Sequence, residues 1–129
     1  MRQIDVFVFA CLWIAFEFRN KLASAEMDAG RNEDARKNFQ FILDENPKFT
    51  SAWINLGFLL LSVDHNIQGA DLHYDKALAL DPDNEQALLN KTGALFYRQK
   101  NSDAKKLLQK ILKLYPDNDK ARVLIKSLK

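Results

Sequence analysis

Apolar and polar positions along this chain recur with the period of a helix, and the pattern itself repeats. The runs "ARKNFQFILDENP", "ADLHYDKALALDP" and "AKKLLQKILKLYP" end on Pro47, Pro82 and Pro116, which are spaced 35 and 34 residues apart. Aligned on proline, Ala35, Ala70 and Ala104 superpose, followed by Phe39, Tyr74 and Leu108, then Ile42, Ala77 and Ile111. Steps of four and three put these positions on one face of a helix. Each proline lacks the N–H that would continue the helix, so each run stops there.

A second helix precedes each run, marked by Leu22-Ala23, Leu56-Gly57 and Thr92-Gly93. The small residues Ala23, Gly57 and Gly93 are spaced 34 and 36. Against the proline spacing this predicts one extra residue in the middle turn of the second repeat and one missing from the third. Small residues let two helix backbones approach closely, and the larger ones fill the gaps between pairs. Thr50, Asn84 and Ser102 offer capping oxygens at predicted helix starts. The repeats fall at 16–49, 50–84 and 85–118. Residues 119–129, "DKARVLIKSLK", form an amphipathic capping helix with Ala121, Leu124, Ile125 and Leu128 on one face.

The period and landmarks resemble the tetratricopeptide repeat family, whose unit of about 34 residues carries a W-x2-L-G-x2-Y…A-x3-F…P pattern. The match is fullest at Trp53, Leu56, Gly57, Ala70, Tyr74, Ala77 and Pro82. Arg19 departs from it where a large apolar residue belongs, as do Thr92 in place of a Leu and Leu108 in place of an aromatic. The resemblance implies an all-α superhelix: three helix pairs, a C-terminal capping helix and an apolar N-terminal helix. It also implies a concave face lined by the first helix of each pair. The groove-facing positions are then Asn20, Lys21 and Ser24, next Ile54, Asn55 and Phe58, then Asn90, Lys91 and Ala94, with Tyr97 extending the stripe.

Some family members hold a peptide's terminal carboxylate with a set of Lys, Asn and Arg side chains. Asn55 and Lys91 stand at matching places; Asn20, Ser24 and Ala87 stand where Lys, Asn and Lys would be wanted. The expectation is an extended segment with an apolar anchor at Ile54 and Phe58 and backbone bonds from Asn55 and Asn90, not an acidic C-terminal tail. The function implied is a scaffold for a protein or peptide partner. The alternative is an architectural or assembly repeat of a larger exported or membrane-linked protein, such as a cytochrome or its maturation machinery.

Residues 4–16, "IDVFVFACLWIAF", lie outside the repeat, and Val6 to Phe16 is eleven uninterrupted apolar residues. A bilayer span needs about 20, and Glu17, Arg19 and Lys21 follow directly. One reading is a signal sequence: Arg2, the apolar run and "ASA" at 23–25 imitate one, yet cleavage would remove Ala23. A second is membrane association as an anchor remnant. The third, which we favour, is a helix buried on the open side of the first repeat or exchanged in a homo-oligomer, with Cys11 a buried small hydrophobe. Placement in the cytoplasm, in the periplasm or at a membrane stays open.

Composition changes little in this picture. Apolar residues are 47% of the 129 and net charge is +2, which points to no acidic or nucleic-acid partner. Residues 1–97 carry nine Lys/Arg against fourteen Asp/Glu, and residues 98–129 carry ten against three. Lys105, Lys106, Lys110 and Lys113 read as a solvated helix face without the aromatic platform of nucleic-acid binders. His65 and His73 are eight apart, not at the i, i+4 spacing of metal-binding helices. No Gly-rich phosphate loop or nucleophile elbow occurs. The expectation is no enzyme, no metal and no cofactor.

Overall fold

The computed structural model of the protein describes residues 3–128, with side chains from Asp5 to Leu128. Expectations resting on Arg2 or Lys129 lie outside the described residues. Among the described residues there are seven α-helices and no strand: α1 (Gln3–Asp28), α2 (Asn32–Glu45), α3 (Thr50–Ser62), α4 (Ile67–Leu80), α5 (Glu85–Tyr97), α6 (Asn101–Leu114) and α7 (Asp119–Ser127). They stack as the pairs α1–α2, α3–α4 and α5–α6, closed by α7. Each helix packs on its neighbour in sequence, and the first helices also lie side by side, α1 on α3 and α3 on α5.

The core follows the sequence pattern. Ala35, Ala70 and Ala104 are fully buried, as are Phe39, Tyr74 and Leu108, and Ile42, Ala77 and Ile111. Large apolar side chains removed from water in this way contribute roughly 1.5–3 kcal/mol each. Turns between pairs share one backbone shape: Asn46 and Asp81, each before a proline, both have φ −141° and ψ 86°. Proline keeps its predecessor out of the helical region, so the chain leaves the helix at the same place each time. Turns within pairs bend at Gly30, His65 and Gln99, with φ of 78°, 53° and 57°.

The helix starts correct the register of the third repeat. First helices begin at 50, 85 and 119, and second helices at 32, 67 and 101, so both series step by 35 and then 34. The turn inside the second pair has four residues (63–66), and those inside the first and third have three (29–31 and 98–100). The second repeat has its extra residue, but the third lacks none. Gly57 therefore corresponds to Thr92, not Gly93. A Cβ on Gly57 would lie 2.7 Å from Tyr74 Cε1, whereas one on Gly93 would meet nothing within 4 Å. Thr92 is fully buried, with its hydroxyl donating to the Leu88 carbonyl at 2.9 Å.

Capping also differs in part from expectation. Asn84 caps α5, accepting from Ala87 N at 3.0 Å. Thr50 and Ser102 lie inside their helices, while Asn66 and Asn118 cap α4 and α7. At α3 the flanking residue is Phe49, buried under the rings of Trp13 and Phe16. Packing, not a capping oxygen, places that helix start.

The N-terminal segment departs most from expectation. Residues 4–16 are helical but form no separate element: they run without a break into the first helix of the first pair. From Val6 to Ala15 they are exposed within the chain, and Phe16 is partly buried against the first core cluster. Val6, Phe7, Val8, Phe9, Leu12, Trp13 and Ile14 are all about half exposed or more, and Cys11 is exposed rather than a core residue. Among the described residues, no helix is long and apolar enough to cross a membrane.

Candidate ligand groove

The face lined by α1, α3 and α5 is built on one polar contact that crosses from helix to helix. Asn55 Nδ2 donates to Asn20 Oδ1 at 3.1 Å and to Ser24 Oγ at 3.3 Å. Both amide hydrogens of Asn55 are thereby directed onto α1. Its Oδ1 is left as an acceptor with no hydrogen bond among the described residues. On α5, Asn90 Oδ1 accepts from Gln86 Nε2 at 2.9 Å, which leaves the Asn90 amide as a donor. Asn55 and Asn90 occupy the same register position, 35 residues apart, and Lys21 holds it on α1. The face thus places an acceptor and a donor one repeat apart.

Around this ladder, Lys21 is exposed, Phe58 is 44% exposed and Tyr97 is 65% exposed. Ser24, Asn55 and Asn90 are half-buried, and Asn20 is nearly covered. Three expected groove residues point elsewhere. Ile54 is buried with Ala77 and Ala87, so it cannot anchor a ligand. Ala94 is buried with Ala70 and Tyr74. Lys91 sits at the register position of Leu56 and turns toward α4, where its Nζ lies 2.6 Å from Asp71 Oδ1 and 2.8 Å from Asp75 Oδ1. Burial alone would lower the Lys91 pKa; the hydrogen bonds that its ammonium donates to Asp71 and Asp75 outweigh it and hold it above the ordinary lysine value.

Sequence reading missed Gln86, which orients Asn90, and the open position of Gly93. The signal was present in the spacing of Ala52, Ala87 and Ala121, all fully buried. Counting from those alanines instead of from Gly93 puts Asn90 and Gln86 where Lys91 and Ala87 were expected.

The remaining candidates for chemistry are dispersed. His65 is exposed in a turn. His73 Nδ1 pairs with the Gly69 carbonyl at 2.8 Å, and its ring packs edge-on against Trp53. No group of three or more His, Cys, Asp or Glu that could hold a metal occurs among the described residues. Lys105, Lys106, Lys110 and Lys113 are exposed along α6.

Stacked antiparallel helix pairs with a shared inner face define a repeat scaffold for protein interaction. The model of the tetratricopeptide repeat matches residues 20–85, just over half of the chain. The chain belongs to the tetratricopeptide repeat family. It is 34% identical over 62 residues to human tetratricopeptide repeat protein 6, covering 48% of this chain and 12% of that protein. It is 33% identical over 93 residues to human protein O-mannosyl-transferase TMTC3, covering 70% of this chain and 10% of that protein. The chain thus spans about a tenth of the length of these curated relatives.

Among solved structures, the first TPR of Spaghetti (RPAP3) bound to the HSP90 peptide SRMEEVD superposes with a TM-score of 0.81 at 19% identity, covering 88% of this chain and 91% of that one. The Arabidopsis OM64 TPR domain gives 0.80 at 22%, covering 89% and 94%. At these identities the likeness shows the fold.

Proposed function

We propose that the chain captures an extended segment of a protein partner along the face of α1, α3 and α5, without catalysing a reaction. The observation that carries this reading is the Asn20–Ser24–Asn55 contact, which fixes Asn55 with its Oδ1 as a free acceptor beside exposed Phe58. Asn55 and Asn90 then hold the segment's backbone, and Phe58 and Tyr97 take its apolar side chains. Holding these groups in place before binding lowers the ordering cost of capture.

The similar structure bound to SRMEEVD carries an acidic peptide end. In this chain the corrected register leaves Lys21 as the one cation among the expected groove positions that has no ion pair among the described residues. A carboxylate clamp is therefore not part of the proposal, and the segment need not be acidic.

Selection from a displayed peptide library against the purified chain tests this. We expect peptides with an apolar anchor whose affinity falls at least tenfold with Phe58→Ala at unchanged melting temperature, and with Asn55→Ala, which lowers the melting temperature but keeps the helical fold. Binders that require a free acidic C-terminus, or that ignore both substitutions, overturn the groove reading. The second outcome would favour the architectural alternative.

A further inference from the structure

Helix α1 has 26 residues, twice the 13 of α3 and of α5. Ala23 corresponds to Gly57, so the start of α3 at Thr50 corresponds to residue 16. Residues 3–15 therefore extend α1 past the register at which α3 starts, as a mostly apolar overhang whose last turn still meets the first pair through Trp13 on Phe49. The second half of α1 has an open face of its own. Phe18 and Leu22 hold the positions that Ala52 and Leu56 hold on α3, where the two residues are buried in one cluster with residues of α2. On α1 these positions are 72% and 47% exposed. A mainly apolar groove of about 760 Å³ lies there between α1 and α2, lined by Cys11, Ala15, Phe18, Leu22 and Phe41, with Arg19 over the Phe41 ring and Asn38 and Glu45 on its α2 side.

We propose that this groove is filled by α1 of a second copy of the chain, in a two-fold symmetric antiparallel pair. The repeat junctions show what kind of element covers such a face. It is a helix of 14 residues, α2 over α3 and α4 over α5, joined by a turn of four residues (46–49 and 81–84) and so antiparallel to the helix it covers. A two-fold axis across α1 supplies the same orientation, and the overhang supplies the covering helix. With the axis near Ala15, close to the middle of α1, each overhang lies in the other copy's groove. Both unfilled surfaces are satisfied at once, as an isologous interface requires.

Cys11, Ala15, Phe18 and Leu22 follow one another at steps of 4, 3 and 4, a single line along α1. The two small residues on that line allow the helices to cross closely. Phe7 and Phe18, 68% and 72% exposed, lie on that side of the helix, with Val8, Leu12 and Ile14 flanking the line. At ~150–250 Å² per aromatic side chain the two rings supply on the order of 250 Å² from each copy. The aliphatic side chains on and beside the line add to this toward the ~800 Å² per partner of a stable interface.

Sedimentation of the full chain tests the proposal, with disulfide capture as a second readout. We expect a species of twice the 14.9 kDa chain mass, which Phe18→Glu converts to monomer; that side chain is exposed in the single copy, so the fold is retained. In a Cys11→Ser background, Ala15→Cys should link copies on mild oxidation, and Val123→Cys, on the exposed side of α7, should not. This readout stands even where Phe18→Glu folds poorly. A monomer at every concentration overturns the proposal, and co-flotation of that monomer with phosphatidylcholine–phosphatidylserine vesicles would assign the overhang to lipid. A dimer that survives Phe18→Glu and does not link at residue 15 also overturns it.

Discussion

Leu56 on α3 and Lys91 on α5 occupy the same place in successive repeats, each packed against the second helix of the pair before it. At the first junction the contact is apolar: Leu56 is buried in one cluster with Phe39, Ile42 and Leu43. The residues of α2 at the register of Asp71 and Asp75 are Arg36, which reaches across to the α3–α4 turn, and Gln40, which turns outward. Arg36 Nη2 donates to Asp64 at 2.9 Å, and Gln40 donates to Asp44 at 2.8 Å. At the second junction both equivalent side chains are carboxylates, and they meet the first helix of the next pair. Asp71 and Asp75 hold Lys91, and Arg98 Nη1 closes the network on Asp71 Oδ2 at 2.7 Å. The two junctions share their geometry and differ in their chemistry. What the repeat position keeps is a volume and a direction; either an apolar side chain or a paired ion network can fill it.

The difference has a thermodynamic consequence. Leucine burial needs no partner, whereas an ammonium in the same place needs both carboxylates to offset its lost hydration. Placing a lysine at the first junction should therefore produce the largest loss of stability. Leu56→Lys, facing Arg36 and Gln40 and no carboxylate, is expected to cost about 4 kcal/mol or to unfold the chain. Adding Arg36→Asp and Gln40→Asp should recover at least half of the loss, measured by urea denaturation. A cost under about 1 kcal/mol for Leu56→Lys alone would show that the first junction is loose enough for the ammonium to reach water.

The glycines sharpen the same register. A Cβ at Gly57 must displace the Tyr74 ring, so Gly57→Ala should cost about 1–3 kcal/mol. Gly93 has open space, so Gly93→Ala should stabilise α5 by roughly 0.5–1 kcal/mol through helix propensity. Thermal melts of the two variants in parallel decide it. Equal destabilisation by both would restore Gly93 as the close-contact position and undo the assignment of Lys91 to the junction.

These cases show which features are legible in the amino-acid sequence. Proline spacing and the Ala–aromatic steps define the pairs, because those residues act through backbone geometry and volume that recur in every repeat. Register in the third repeat is not legible in the same way, because a glycine in a helix carries no obligation of its own. Thr92 fills the small site instead, with its hydroxyl satisfied by the turn before it. Ile54 and Phe58 are four residues apart and look alike in sequence, yet one is buried beside Ala87 and the other is exposed. Their difference is set by where α5 packs, which no local pattern encodes. The apolar run at 4–16 is plain in sequence, but the sequence does not state what covers it. Val6, Phe7, Val8 and Phe9 are consecutive, so they point to all sides of α1, and one neighbouring pair cannot bury them all.

The smallest expected effect is the response of the second junction to alkaline pH. The folded-state pKa of Lys91 lies above the ordinary value of 10.5, because burial is more than offset by the hydrogen bonds it donates to Asp71 and Asp75. A group whose pKa is raised on folding contributes fully below its unfolded value, and that contribution fades as pH climbs through the folded value. The Lys91 contribution should therefore be constant at neutral pH and decline only above about pH 10.5. Tyr74 titrates in the same direction. Its phenol is raised above the ordinary 10.0, first by burial and then by the negative charge of Asp71. Ionisation of the unfolded chain at that tyrosine also erodes stability as pH rises. The two effects separate in a Tyr74→Phe background, which leaves the ring in place as Phe39 does in the first repeat. It also removes a buried hydroxyl that has no hydrogen-bond partner among the described residues. Urea midpoints of Tyr74→Phe and of Tyr74→Phe with Lys91→Leu should differ by a fixed amount up to about pH 10 and converge above it. A gap that stays constant to the alkaline limit would mean that Lys91 keeps no ammonium-dependent contact at the junction, and that its place is held by packing of its methylene stem alone.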